Sequence, residues 1–506
     1  MQFNLATVST PPRIVVVIDG GVLFGIIQIM GKAFFILAAV FVPTLGAFLL
    51  PLLGRFSIRA RNWLAFLLVL FSFISSLALI PSAMSSKAIS LIIPLPMGLS
   101  FSLCADVLAV FMALVSSLIG AIIVLFSFDY ISHYENQNEY YLMVVLFLGS
   151  MMGIVYSQNL IFLYLFWELT AIASWRLIGF YREKNDVLRA DKAFLVTFFG
   201  SVVMLIAFIA IYQQAGTFDL LALKHFALPG ILVALIMFGI LSKSATLPFH
   251  TWLPDAGVAP SPVTALLHAA VLVKIGVYVF ARLFLMTFSI GAFWQVAVPV
   301  IAGASALIAA GAALIDTDLK RIIAYSTVSQ IGFIFLGLAT GNAVGVMGGL
   351  LFILMHGLAK GGLFLAAGII EQNSRTKDIT KMGGLFGTMP ITAISFLFCA
   401  FSIMGIPPFG GFFSKYLVIL GTVQSGQILI ALTFIIGAFL TIIYLFRLFS
   451  LIFLGDAKGI LAKEGSKSMI FCVALLAFLS LGSGILINYP AEFLRAGMQQ
   501  MIGIMK

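Results

Sequence analysis

The chain has 506 residues, of which 62% are apolar and 9% charged, with a mean hydropathy of +1.17. This composition excludes a soluble globular protein, and apolar runs of about 20 residues recurring along the whole length predict a polytopic helical membrane protein. The alternating segments of roughly ten residues that mark a transmembrane barrel are absent, and the net charge of +10 is no nucleic-acid footprint, because its location matters more than its sum.

Residues 1–32 are predicted to form an N-terminal extension. Its stretch "RIVVVIDGGVLFGIIQI" is apolar enough to contact membrane, yet Asp19, Gly20 and Gly21 interrupt it. A peripheral or half-inserted segment and an extra full span are the two readings, and a signal peptide is not convincing without a cleavage site after a basic start. Fourteen spans follow, at 33–53, 62–81, 104–126, 139–157, 159–180, 190–213, 227–249, 258–285, 293–315, 322–340, 344–369, 389–423, 427–454 and 468–488. Helices 1–3 thus occupy 33–126, helices 4–8 occupy 139–285, helices 9–13 occupy 293–454, and a tail covers 489–506.

Basic residues gather in the odd-to-even connections, from Arg55, Arg59 and Arg61 through Arg182, Lys184, Lys320, Arg321, Arg375 and Lys377 to Lys467, while the opposite connections hold little beyond Lys87 and Lys224. By the positive-inside rule the first group is cytoplasmic, which places both termini on the outer side. The three cysteines, Cys104, Cys399 and Cys472, lie far apart with no CxxC or Cys/His spacing. No metal, haem or iron–sulfur centre is expected in this chain.

Charges inside the spans carry the functional signal. One near the bilayer centre costs about 2.5–3.5 kcal/mol on insertion scales, so each is a candidate functional residue. Glu168 sits in the fifth span in "LYLFWELTAIASWRLIGF", and Lys243 in the seventh in "GILSKSATLPFH". His268 and Lys274 share the eighth, "ALLHAAVLVKIGVYVFARL". His356 and Lys360, in "LMHGLAKGGLFLAAG", are four residues apart on one helical face. Lys415 follows the break in "GIPPFGGFFSKYLVIL". One structural salt bridge cannot account for charges spread over five helices. A lysine and a nearby carboxylate in a low-dielectric site can pass between protonation states as their surroundings change, and histidine suits the positions between them. Arg176 and Arg282 lie near span ends and are expected to snorkel to the headgroups; Asp106 is expected to cap a helix.

Prolines break two of these spans. Pro248 follows Lys243, and Pro407, Pro408, Gly410 and Gly411 precede Lys415. Broken helices free backbone groups, tolerable at depth only where they line a wet cavity or are buried in protein, and one break in each half is the mark of an internally repeated transporter. No Walker-type or dinucleotide-binding glycine pattern is present, so energy must come from an ion gradient or a neighbouring subunit.

The segments "FWELTAIASWRLIGF", "SKSATLPFHTWLPDAGVAPSPVTALLHAAVLVKIGVYVFARL", "LKRIIAYSTVSQIGFIFLGL", "LMHGLAKGGLFLAAG" and "GIPPFGGFFSKYLVI" resemble the antiporter-like subunits of complex I and of Mrp-type Na+/H+ antiporters. The likeness runs from about residue 33 to 490. It implies an all-α fold of about fourteen transmembrane helices with two inverted five-helix repeats, each containing one broken helix. It also implies roles: Glu168 and Lys243 as the first half-channel, Lys274 with His268 as the connection, His356 and Lys360 along the axis, and Lys415 as the terminal group. Within the family the chain looks like the D-type or M-type branch, closest to chains of membrane-bound hydrogenases and related sulfur-reducing complexes. The resemblance further implies a prokaryotic cell membrane, lipid, other membrane subunits including a second antiporter-like or small Mrp-type one, and a peripheral redox module carrying the iron–sulfur clusters and redox metal centre. Arg176 departs from the pattern and, with His250, is a possible modulator of the first half-channel.

The leading expectation is therefore a proton-translocating subunit of a respiratory or hydrogenase-type complex, not catalytic alone. A stand-alone Mrp-type Na+/H+ antiporter would use the same conduit. A small-solute carrier is the third reading, although runs of Phe, Leu and Ile leave little polar surface for a solute.

Overall fold

The computed structural model describes residues 15–17, 25–85, 88–96, 99–458 and 462–505. The expectation of a peripheral or half-inserted segment at 1–32 falls mostly outside the described residues.

Among the described residues, twelve helices are long and apolar enough to cross a membrane. Two shorter apolar helices complete a set of fourteen spans, and they are the two that breaks interrupt. In chain order the elements are strand β1 (Val15–Val17), α1 (Gly25–Gly46, continued by short helical turns to Phe56), α2 (Ile58–Ala78), strands β2 (Ile89–Pro94) and β3 (Ser100–Ala105), α3 (Val107–Tyr130), α4 (Gln137–Tyr156), α5 (Leu160–Ile178), α6 (Lys184–Ala215), α7 (Gly230–Lys243), α8 (Ser261–Leu285), α9 (Ala292–Ile315), α10 (Leu319–Ala339), α11 (Ala343–Ser374), α12 (Pro390–Met404), α13 (Gly410–Gln424), α14 (Ile428–Phe453), α15 (Lys467–Ile485) and α16 (Asn488–Met505). The seventh span is α7, a break, and a short helix Trp252–Asp255; the twelfth is α12, a break, and α13.

Burial orders the bundle. Helix α8 is wholly enclosed, and α3, α10 and α11 nearly so, whereas well under half of the residues in the apolar stretches of α2, α6, α14 and α15 are buried. The exposed large side chains are mostly Phe, Leu and Ile, as in Phe199, Phe439 and Phe478, the surface a chain within a membrane presents to lipid or to apolar neighbours.

The backbone records two inverted repeats, α4–α8 and α9–α14. Asn159 bridges Asp219 in the first, and Asp318 bridges Asp378 in the second, each partner 159 residues further on. Asn159 caps α5 by accepting from Ile161 N at 2.9 Å, and Asp318 caps α10 by accepting from Arg321 N at 3.0 Å. The strand partners of the α4–α5 loop lie at one end of the bundle and those of the α9–α10 loop at the other, which is what inversion requires.

Several boundaries and environments differ from the sequence expectation. The first span runs Lys32–Phe56, close to the expected start at 33, on a helix that begins earlier, at Gly25. Residues 104 and 105, assigned to the third span, belong to an antiparallel sheet of order β1-β2-β3. Most of the tail expected at 489–506 is a helix, α16 (Asn488–Met505), that packs against α3 and α11. Arg282 does not snorkel: it is buried and makes a two-pronged ion pair with Asp106, while its Nε donates to the Tyr278 hydroxyl at 3.0 Å. Asp106 keeps the expected cap, accepting from Ala109 N at 2.8 Å. Burial decides the outcome for Arg282, since its helix has no lipid-facing side along which the side chain could climb.

Removing one partner of a buried pair leaves an uncompensated charge. Arg282→Gln should therefore destabilise the protein by about 3–5 kcal/mol, read as a fall in the thermal unfolding midpoint of the detergent-solubilised assembly, with the Asp106→Asn, Arg282→Gln double variant recovering part of the loss. An unchanged midpoint in the single variant would contradict the assignment.

Candidate functional site

The two breaks are built alike. In each, a residue in the left-handed region ends the first half-helix, Ala245 (φ 50°) after α7 and Gly405 (φ 81°) after α12. The next amide reaches back five residues, Thr246 N to Leu241 O and Ile406 N to Phe401 O, both at 3.0 Å, the hydrogen bond of a Schellman-type stop. A second turn follows, Phe249 N to Thr246 O and Phe409 N to Ile406 O. Each break has one cis prolyl bond, at Leu247–Pro248 and Pro407–Pro408. The strings "TLPF" and "IPPF" thus perform one task twice.

A lysine serves each break, from opposite sides of it. Lys243 is the last residue of α7, and its ammonium lies 5.3 Å from the Trp167 ring centroid and 3.4 Å from the Trp167 carbonyl oxygen. Lys415 sits in the second turn of α13 and reaches back across the break, donating to Ile403 O at 2.6 Å. That carbonyl belongs to the last turn of α12, the negative end of the helix dipole. The Lys415 ammonium also lies 4.7 Å from the Phe333 ring centroid and 5.7 Å from that of Phe352, a desolvated cation–π arrangement of about 2 kcal/mol.

Between the breaks, α8 and α11 run antiparallel and carry the other groups. Lys360 donates to Ser326 Oγ at 2.6 Å and to Ile323 O at 2.9 Å, both on α10. The Lys274 ammonium faces the backbone of α11, where a side chain added at Gly357 would come within 3.0 Å of its Nζ. The His268 ring lies against that of Phe364, 4.4 Å between centroids and tilted by 33°. It sits in a π-helical turn, Leu266–Ala270, that interrupts α8, the kind of irregularity found often at functional sites. His356 lies beside Phe352, at 6.0 Å between centroids, within electrostatic reach of Lys274, Lys360, His268 and Lys415.

Five of the sequence-nominated residues, His268, Lys274, His356, Lys360 and Lys415, therefore gather around His356, while Lys243 lies within electrostatic reach of Glu168, which is half-buried. Lys243, His268, Lys274, His356 and Lys360 have no solvent exposure, and Lys415 has 4%. Glu168 Oε1, Lys274 Nζ and both ring nitrogens of His268 and His356 have no protein hydrogen-bond partner. Buried polar atoms of this kind are ordinarily satisfied by water. Such an axis of ammonium and imidazole groups can donate, accept and hand on protons, whereas a row of fixed ammonium charges would repel a metal cation. Among the described residues no cluster of three or more His, Cys, Asp or Glu could hold a metal ion.

Three placements sharpen the sequence reading. Glu168 is within electrostatic reach of Lys243, but the two form no ion pair within 4.0 Å. Arg176 turns away from Glu168 and pairs with Glu139, which Arg182 also engages at 2.5 Å. His250 lies in the break after α7 with its Nδ1 buried and unpartnered. Sequence reasoning missed a buried ion pair: Lys320, counted there among the loop charges, is 1% exposed and binds Glu371 at 2.5 Å. The signal was an acid at the end of the eleventh span, eleven residues beyond Lys360 on a helix that continues past the predicted boundary.

Comparison with known proteins bears on the family and the fold. In curated sequences the chain is 35% identical over 456 residues to the Na(+)/H(+) antiporter A-subunit of Alkalihalophilus pseudofirmus, covering 82% of this chain and 56% of that protein. It is 33% identical to the Na(+)/H(+) antiporter A1-subunit of Staphylococcus haemolyticus, covering 87% and 60%. The chain thus spans little more than half the length of these relatives. Among solved structures it superposes with a TM-score of 0.83 on a chain of the Mrp complex from Dietzia sp. DQ12-45-1b, at 21% identity and covering 93% and 98% of the two chains. A chain of the membrane-bound sulfane sulfur reductase, an archaeal respiratory membrane complex, also gives 0.83, at 22% identity and 94% and 98% coverage; both likenesses speak for the fold. Residues 157–441 match the family described as "NADH:quinone oxidoreductase/Mrp antiporter, TM", and the chain belongs to that family.

Proposed function

We propose that the chain is the proton-translocating subunit of a larger membrane assembly, moving H+ through two half-channels joined by Glu168, Lys243, His268, Lys274, His356, Lys360 and Lys415. The observation that carries this reading is burial without pairing: four lysines and two histidines are enclosed in the bundle, and only two of them, Lys360 and Lys415, are within 3.0 Å of a protein acceptor. A purely structural role would pair these charges, as Arg282 and Asp106 are paired. Burying them singly is worthwhile only where their protons move.

The break prolines Pro248, Pro407 and Pro408 are exposed on the isolated chain. Irregular backbone at membrane depth does not face lipid, which supports neighbouring membrane subunits, a second antiporter-like or small Mrp-type one among them, covering the breaks. With the basic connections facing the cytoplasm, both ends of the chain lie on the outer side of a prokaryotic cell membrane.

Two drives fit the same conduit. The sequence likeness to Na+/H+ antiporter subunits favours an ion gradient, with Na+ carried elsewhere in the assembly. A peripheral redox module, with iron–sulfur clusters and a redox metal centre in other subunits, is the alternative supported by the fold it shares with the archaeal respiratory complex. Mass spectrometry of the gently extracted assembly separates them: iron–sulfur or hydrogenase-like partners establish the redox drive, and exclusively membrane partners establish the gradient drive.

Lys243→Ala and Lys415→Ala should each lower coupled proton movement by about two orders of magnitude in vesicles while the assembly still forms, measured by quenching of a pH-sensitive dye. Wild-type rates in both variants would refute the reading. Under the gradient drive, replacing external Na+ by choline should also abolish the pH change; under the redox drive it should persist.

A further inference from the structure

At the basic end of the bundle a cavity of about 360 Å³ opens between Tyr130, Tyr134, Tyr181, Glu371, Gln372 and Lys377. Behind its Tyr130 and Glu371 walls stands Ser261, the first residue of α8. Glu371 accepts from Lys320 Nζ at 2.5 Å, from Lys377 Nζ at 3.1 Å and from Ser261 Oγ at 3.3 Å, and the Tyr130 hydroxyl donates to Ser261 Oγ at 3.4 Å. A fifth of the Glu371 side chain is exposed, whereas Lys320 and Ser261 behind it are sealed. The carboxylate is thus the last group water can reach and the first of the enclosed seam.

From this point α8 and α11 lie side by side in register. Ser261 packs on Gly368, His268 lies against Phe364, and Lys274 faces Gly357. From Ser261 to His268, and from Glu371 back to Phe364, is two helical turns, about 10 Å. The Thr264 hydroxyl, donating to Ser261 O at 2.8 Å, stands between them. His268, with both ring nitrogens unpartnered, is the next group that can take a proton.

Resting on the relay reading above, we propose that this cavity is a proton inlet and that Glu371 is its loading group, passing protons along the α8–α11 seam to His268. The Glu371 carboxylate takes a proton from cavity water. The acid so formed gives that proton to the Ser261 hydroxyl, which releases its own along the seam through water, and the neutral His268 ring becomes imidazolium; the carboxylate is restored and one proton has moved. Lys320 keeps a partner while Glu371 is neutral, because it also donates to Ala259 O at 3.1 Å. A fastening of α10 to α11 would need the ion pair alone. It would need neither a water-accessible carboxylate nor a hydroxyl leading inward.

The test uses the intact assembly in vesicles with the basic face outward. Glu371→Gln should lower coupled proton movement about tenfold or more at unchanged assembly, and Glu371→Asp should retain most of it. Gln372→Cys places a thiol at the cavity wall. A membrane-impermeant, negatively charged methanethiosulfonate should then inhibit from the basic face, with dithiothreitol restoring the rate, and should leave the wild-type chain, whose three cysteines are buried, unaffected. Full rates in Glu371→Gln, or a modified Gln372→Cys assembly that still moves protons normally, would overturn the inlet. Lys243→Ala in the same membranes separates the two levels: if it stops transport while both inlet variants work, the inlet alone fails, and if it too is fully active, the relay reading has failed.

Discussion

An ammonium group in hydrocarbon must find electron density or give up its proton, and the architecture follows from how this chain meets that demand. Lys360 has a hydroxyl and a carbonyl, Lys415 has the end of a half-helix and two aromatic faces, and Lys243 has one indole and a distant carbonyl. Lys274 has no protein acceptor. The helix breaks supply what an intact helix cannot, carbonyl groups released from the ladder at membrane depth. The wholly enclosed α8 lies inside the bundle, and the Arg282–Asp106 pair pins its C-terminal end.

Inversion repeats the scaffold but not the chemistry. With corresponding residues 159 or 160 positions apart, Ile403 stands where the first repeat has Lys243, and Thr327 where it has Glu168. Conversely, Lys360 of the second repeat corresponds to Ser201 of the first. Lys415, placed beyond the break, sends its ammonium back to the carbonyl of Ile403, the counterpart of Lys243. The first repeat therefore places a lysine within electrostatic reach of a carboxylate without pairing them, while the second holds its lysines on carbonyls, hydroxyls and rings. Under the proposed relay, unlike groups on a common frame would give the two half-channels different affinities for a proton, the asymmetry that directional transfer needs.

Most of this axis was legible because hydrocarbon leaves so few reasons for a charge. Apolar runs locate spans, and Lys243, Lys274, Lys360 and Lys415 stand out against them. The breaks were readable from Pro248, Pro407 and Pro408 through the fixed chemistry of proline. Side-chain direction was not legible. Arg282 and Arg176 look alike near span ends, yet one is enclosed with Asp106 and the other meets Glu139 at the surface. Lys320 was hidden for the same reason: a loop-end position says nothing of the Glu371 that closes over it. The short strands and α16 escaped because three to six residues of pairing, or an amphipathic helix lying across the bundle, leave no pattern as strong as a span.

If the axis is one conductor, its two ends are in series, and this separates it from two independent half-channels working in parallel. The most direct test is proton movement by the intact assembly carrying Lys243→Ala, Lys415→Ala and both together. A series path predicts that each single variant already stops transport and that the double variant loses nothing more. Single variants that each retain about half the rate, with only the double variant silent, would contradict the joined relay.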